Sequence, residues 1–554
     1  LSRARQTLDD LRAGIAPTRM DRFIARHLPG WGLGRLEARA SMAVLGGQAW
    51  TGARRDLPEF KNWNPQTGSP DDEQRYDRAF LLSRATDLER NDAVAGGAVA
   101  EAVLSVVGTG LSLHPEPNRK ILGWSQDQAV EWAEELKTFF NLWAGDAREC
   151  DISRRRNFYQ GQAVAYRTVA SRGDAYTLLP RKRHPGTSWF TKFQIMEGDR
   201  LMTPTDMAET DLFSQGVEMD GDGGYVKFWF SKQHPSLLKS RPGKADFIPV
   251  EAWGADGRRL VLPLMHESRL DLRRGYPLLA PIIKTLKSLS QLTENELAAS
   301  VVSSFIAVVI KKAPGSGKGP LGGSVTKDTE GKPVTEWGPA TVAELNPGEE
   351  IQNVMPNRPN GAFDPFWQSL IGQLSMRIGM PPEVLLKKFS SSYTAAKGAL
   401  LQWWKFVNME RENLLAPDFC QPLFEAWMDE AVSSGKVKAP GYFANPMLRA
   451  AYCNARWVGD APPILDPARE AQFAKDLLDY GLTTHAEQTM RLTGGDFESN
   501  HERLAREVRM RKADGLITDL KPEPFANADP TAKPAAPAKP APDGDTEDTS
   551  GGNP

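Results

Sequence analysis

Cysteine is nearly missing from this chain of 554 residues: Cys150, Cys420 and Cys453 are its three, widely separated, and no CxxC pair occurs. That argues against a disulfide framework or a cysteine zinc site, and it suits a reducing compartment. Net charge is missing as well. Lys+Arg at 68 stand against Asp+Glu at 70, a balance of -2, so no overall basic field draws the chain onto DNA or an anionic membrane. No apolar run reaches the ~18–20 residues of a membrane span. The opening LSRARQTLDDLRAG has charges but no apolar core, which argues against a secretory signal. The chain starts at Leu1 rather than methionine, as a processed or trimmed product would.

A reactive centre is also lacking. An enzyme of this size should carry titratable groups at workable spacing, and there is no GxSxG or HExxH. GSGKG at Gly315–Gly319 fails the phosphate-loop template. Lys312 stands where its first glycine should be, and Gly319 replaces the magnesium-binding hydroxyl. Seven histidines are scattered; His114, His184 and His234 each precede proline, which favours extended backbone over metal ligation. The reading is no catalytic residue, no metal and no cofactor.

What is present is a chain too long for one core, with helical and strand-rich stretches in turn. Residues 1–45 are arginine-rich and weakly periodic, an arm that orders only against a partner or a part-disordered chain. Thr86-Asp87-Leu88-Glu89 reads as a capping box, before a helix with Val99, Val103, Val106 and Val107 on one side and Gly108 and Gly110 at its close. Asp127–Trp143 and Asn157–Ala170 are further helices. From Phe193 to Pro263 the pattern turns to strands, with the glycines of Asp220–Gly224 supplying a turn. Helical periodicity returns over Arg273–Ser304, and a glycine- and proline-rich insertion fills 313–360. The fold class is α+β, predominantly helical. Asp466–Pro467 and Thr484–Glu487 start late helices, the last spanning Asn500–Asp514. From Lys521 the chain is proline-, alanine- and acid-rich, a disordered tail.

One stretch organises the rest. At Asp364–Pro365 a helix starts, carrying the stripe Trp367, Leu370, Ile371, Leu374 and Ile378, and Gly379 with Pro381–Pro382 stops it. A second helix has Leu400, Leu401, Trp404 and Val407 in register and is interrupted at Pro417 and Pro422; Trp403 and Trp404 belong in a core or a subunit contact. Between the two lies LLKKFSSSY, a polar loop of lysines, hydroxyls and a tyrosine held out on two helices. With no reactive centre elsewhere, that combination fits a structural or conduit protein.

The motifs NWNP (62–65), VVGTGLSL (106–113), RRRNFYQGQAV (154–164), GVEMD (216–220), RRGYPLLAP (273–281), RIGMPPEVLLKKFSSSYTAAKGALLQWW (377–404) and WVGDAPPILDPAREA (457–471) resemble, in order and spacing, the lambda-like phage portal family. The resemblance implies a portal fold. Its regions would be an N-terminal arm (1–45), wing (46–276), stem helix (277–312), clip (313–360), second stem helix (361–380), tunnel loop (381–393), long helix and wing return (394–455), crown (456–518) and disordered tail (519–554). It implies a homo-oligomeric ring, typically a dodecamer, at one vertex of the virion head, assembled in the bacterial host cytoplasm. Double-stranded DNA would pass through its channel without sequence readout. Terminase, head-completion or adaptor proteins, and a major capsid or scaffold protein are the implied partners, with no membrane. Lys387, Lys388, Ser390, Ser391, Ser392 and Tyr393 would face the DNA. The alternative is a capsid-associated minor head or scaffold protein that conducts no DNA.

Overall fold

The computed structural model describes residues 67–240, 246–305, 361–389, 392–464 and 466–516, a few positions between 24 and 65, and four short strands within 309–352. The 1–45 arm apart from Ile24, Gly30 and Trp31, the GSGKG loop and the tail from Lys521 lie outside the described residues. The chain divides into two units, Leu1–Asp460 and Ala461–Pro554.

The main helices of the first unit are α1 (Arg78–Asn91), α2 (Ala93–Val106), α3 (Gln126–Gly145), α4 (Phe158–Arg172), α5 (Ile283–Phe305), α6 (Phe363–Ile378), α7 (Tyr393–Glu410) and α8 (Gln421–Ser433). Capping sets several of their starts. Ser125 and Gln128 close a reciprocal box on α3, and Asn157 and Gln160 do the same for α4. The box expected at Thr86–Glu89 is not a start. It sits inside α1, where Thr86 Oγ1 donates to the Leu82 carbonyl at 2.8 Å. The cap belongs to Asp92, whose Oδ1 accepts from Ala95 N at 2.8 Å, while its other oxygen accepts from Ser290 on α5. Asp92→Ala should therefore cost about 1–2 kcal/mol, read as a lowered urea midpoint.

The strands form antiparallel sheets. β2 (Asp174–Leu178) lies between β3 (Gln194–Glu197) and β8 (Val261–Met265); β4 (Phe213–Ser214), β5 (Val217–Met219), β6 (Tyr225–Ser231) and β7 (Phe247–Glu251) make a meander. The β5–β6 hairpin closes through the Asp220–Gly224 turn, where Asp220 accepts from Gly224 N at 2.7 Å. β1 (Ser112–Pro115) pairs with β13 (Ala455–Val458), tying the two ends of the unit together. In the insertion, β9 (Val309–Lys312) pairs with β12 (Glu349–Gln352), and β10 (Val325–Lys327) with β11 (Pro333–Thr335). The candidate strand at ATVAEL lies outside the described residues.

Two cores result, and β2 serves both because its side chains alternate. Ala175 joins a large helical core with Val99, Phe140, Trp143, Phe158 and Trp427, whereas Tyr176 joins Val217, Phe228 and Phe230 between the sheets. Beneath Tyr176, Asp174 is fully buried. It accepts from Arg78 at 2.8 Å and Arg274 at 2.7 Å, and Arg274 also donates to the carbonyls of Leu201, Gln215 and Gly198. Gly173, at φ +90, is obligatory beside this network, since a Cβ there would lie 2.4 Å from Tyr276 N.

The second unit carries α9 (Pro467–Asp479), α10 (His485–Thr493) and α11 (Phe497–Ala513), capped by Asp466, Thr484 and Asp496. Phe473 and Leu504 on these helices, and Tyr480 and Leu482 in the turn after α9, are all exposed.

Candidate functional site

The polar loop is built from its roots outward. α6 starts at Phe363, two residues earlier than the expected Pro365, so Asp364 does not cap it; its carboxylate accepts from Gln368 Nε2 at 2.8 Å instead. Ile371, Leu374 and Ile378 are buried as the periodicity demands, and Gly379, at φ +78, ends the helix. Pro382–Leu385 then makes one helical turn with Val384 and Leu385 buried, which anchors the near side of the loop. On the far side Ser392 caps α7, its Oγ accepting from Ala395 N at 3.4 Å. The buried face of α7 is Trp403 and Val407 with Leu400 and Trp404 half-buried; Leu401, expected inside, is exposed. Trp403 stacks on Phe406 and donates to Ser105 Oγ at 3.1 Å. Both ends of the loop are thus clamped.

Between the clamps, Lys387 adopts φ +53, a left-handed position uncommon for a residue with a side chain. Its Nζ lies 3.3 Å from Glu101 on α2, yet its side chain is 71% exposed. Lys388, Phe389 and Tyr393 are exposed as well. Ser392 is a capping residue rather than a free hydroxyl, while Ser390 and Ser391 lie outside the described residues. The loop thus offers two ammonium groups and two aromatic rings on a rooted base.

α7 does not stop at Pro417. The backbone continues from Glu410 through a π-helical stretch, Arg411–Cys420, into α8, so the expected interruption becomes a widened helix. A proline in a regular α-helix clashes with the carbonyl four residues back, and the wider turn relieves that clash. At the junction, buried Glu410 accepts from Tyr166 Oη at 3.0 Å and contacts His266 Nε2 at 2.9 Å. Burial raises the Glu410 carboxyl, with His266 and Tyr166 opposing. Arg411 donates to the carbonyls of Val106 (2.7 Å), Ser105 (2.9 Å) and Asp460 (2.8 Å) and lies over the Trp404 ring. It thereby closes the C-terminal end of α2, the helix that holds Glu101. Asp460 in turn accepts from Thr109 N and Oγ1. The sequence reading missed Glu410, Arg411 and His266; no local pattern announces residues paired across hundreds of positions.

No catalytic arrangement emerges among the described residues. All three cysteines are buried, and burial pushes the Cys150 and Cys453 thiols up to about 12, which removes them as nucleophiles near neutral pH. The carboxylates of Glu197 and Asp199 approach His234, but Asp199 already accepts from Arg172 at 2.7 Å.

The sequence model described as "Phage portal protein, lambda family" matches residues 57–411, a span that runs from before α1 to Arg411 and includes the loop. Portal protein B of Escherichia phage lambda is 23% identical over 481 residues, covering 83% of this chain and 89% of that protein. The portal protein of Escherichia phage N15 is 23% identical over 480 residues, with the same coverage. Among solved structures, the neck of a native GTA particle with C12 symmetry aligns over 75% of this chain and 92% of that chain, at 10% identity and TM-score 0.40. With the family's signature running through α1 to α7 and the loop they support, the chain belongs to the lambda family of phage portal proteins.

Proposed function

We propose that this chain is the repeating subunit of a ring at the unique vertex of a phage head, where it forms the channel for double-stranded DNA during packaging and ejection. The observation that carries the reading is the family match over residues 57–411, which takes in the clamped loop. In this reading the subunit number is typically twelve, and the ring sits in the virion after assembly in the host cytoplasm. The loop of 381–393, with Lys387, Lys388, Ser390, Ser391, Ser392 and Tyr393, lines the channel and meets phosphates without reading bases. The chain's balance of -2 suits that task, because a strongly basic wall would hold DNA through counterion release rather than let it slide.

Residues 46–276 act as the wing, 277–312 and 361–380 as stem helices, 313–360 as the clip, 394–455 as the long helix and wing return, and 456–518 as the crown. Apolar side chains exposed on α5 and α6, among them Leu297, Phe366 and Met376, support packing against a neighbouring copy. The β9–β12 and β10–β11 pairs are two-stranded, and their edges can pair with strands of the next subunit. The clip then receives terminase during packaging and head-completion proteins afterwards, with capsid or scaffold protein around the wing. The chain is not an enzyme in this scheme; a separate ATPase supplies the energy.

The test is imaging. Purified protein viewed in negative stain is expected to form rings with a central hole and rotational symmetry. A chain that stays monomeric by light scattering under all assembly conditions overturns the reading.

A further inference from the structure

A cleft of about 480 Å³ opens between the short Pro70–Arg75 helix, the Glu209–Ser214 segment and the β5–β6 hairpin turn. Its wall carries six carboxylates, from Asp71, Asp72, Glu209, Asp211, Asp220 and Asp271. Two guanidinium groups oppose them, leaving a balance of -4. Both are already engaged: Arg75 pairs with Glu209, and Arg273 with Asp71 and the Asp211 carbonyl. Asp71 is nine-tenths buried, and its Oδ1 has no hydrogen-bond partner. A buried carboxylate oxygen left without a donor is costly. The carboxylates do not gather at metal-ligand spacing; among the described residues that spacing occurs elsewhere, at Glu197, Asp199 and His234. With that spacing absent, the excess of negative charge on the wall suits an organic cation.

We infer that the cleft receives an arginine-rich part of the chain's own N-terminal segment, the residues before Pro58. That segment holds ten arginines and no lysine against four aspartates and one glutamate, a balance of +5. Guanidinium forks match carboxylates two bonds at a time, and the exposed Asp72, Asp211 and Asp271 offer such partners. The attachment point favours the same chain. Ser69 and Pro70 line the cleft itself, so the segment is tethered at its rim by a short linker that keeps its local concentration high. The assignment goes beyond the conduit function and rests on the cleft and the segment alone, so its failure leaves the ring untouched.

The test uses the full chain. Because the segment has no lysine, Arg35→Lys/Arg39→Lys and Arg54→Lys/Arg55→Lys variants place amines where a carbodiimide can join them to nearby carboxylates. Peptide mass spectrometry is expected to find amide links to Asp72, Asp211 or Asp271, reduced several-fold by Asp211→Asn/Asp271→Asn and by about 0.5 M salt. Those two aspartates are exposed, so the double variant keeps the Asp71–Arg273 pair and its fold, checked by circular dichroism. A mixture of heavy and light chains assigns each link to one molecule or two. Links confined to other acids, heavy–light links, or no links would each overturn the assignment.

Discussion

Arg274→Met is expected to destabilise the first unit by about 3–5 kcal/mol, the scale of breaking a buried ion pair by removing one partner. Arg274 is 2% exposed and serves Asp174 together with the carbonyls of Leu201, Gln215 and Gly198. Methionine fills much of the volume but satisfies none of these acceptors. Asp174 would keep Arg78, Gly275 N and a long 3.5 Å bond from Tyr176 Oη, weak compensation for a fully buried carboxylate. The urea midpoint followed by tryptophan fluorescence measures the loss; a change below about 1 kcal/mol would mean the network is dispensable. Its pH dependence has a defined sign. Burial pushes the Asp174 carboxyl up, but Arg274 and Arg78 outweigh burial and hold it below 3.8. A carboxyl depressed in the folded state contributes stability that is complete above its unfolded value and lost as pH falls through its folded one. The gap between wild type and variant should therefore be full at neutral pH and shrink below pH 3.8. Glu410 works in the opposite sense. Burial raises it, so its protonated form favours the fold at low pH and its contribution falls as pH rises through the raised value.

The parts of this fold legible in the sequence are those that local chemistry dictates. The Asp220–Gly224 turn, the helix starts at Asp466 and Thr484, and the stripe from Ile371 to Ile378 each follow from residues within one or two turns of one another. The loop was legible for the same reason, since Gly379 and Pro381–Pro382 punctuate its start and Ser392 its end. Errors arose where tertiary partners decide. Thr86 has the spelling of a cap, but α1 runs through it because Leu82, Ala85 and Leu88 continue the buried face. Pro417 spells a break, but the widened helix absorbs it while Leu414, Leu415 and Phe419 stay buried. Glu410 meets Tyr166 across 244 positions and His266 across 144, distances over which a single sequence carries no periodic signal.

Lys387→Glu/Lys388→Glu is expected to leave ring assembly intact while cutting DNA-filled heads by about tenfold, the scale at which reversing several phosphate contacts acts on binding. The stability side is small. The Lys387 side chain is 71% exposed, so its pair with Glu101 contributes about 0–1 kcal/mol at most, and a surface reversal two residues wide does not reach the buried roots at Val384 and Leu385. The functional side is multiplied. In a ring, every subunit presents the same two positions, so the reversal converts a circle of ammonium groups into a circle of carboxylates facing the same phosphates. With Lys387 reversed, the loop loses its pair with Glu101 and meets a like charge on α2, so the variant's fold is checked by circular dichroism. Counting nuclease-protected genomes per head, with ring formation scored by electron microscopy, separates the two effects. Lys387→Arg/Lys388→Arg keeps the charge and should package as wild type does. If the reversed variant fills heads as well as wild type, the loop does not meet the DNA, and the channel wall must be sought on another element.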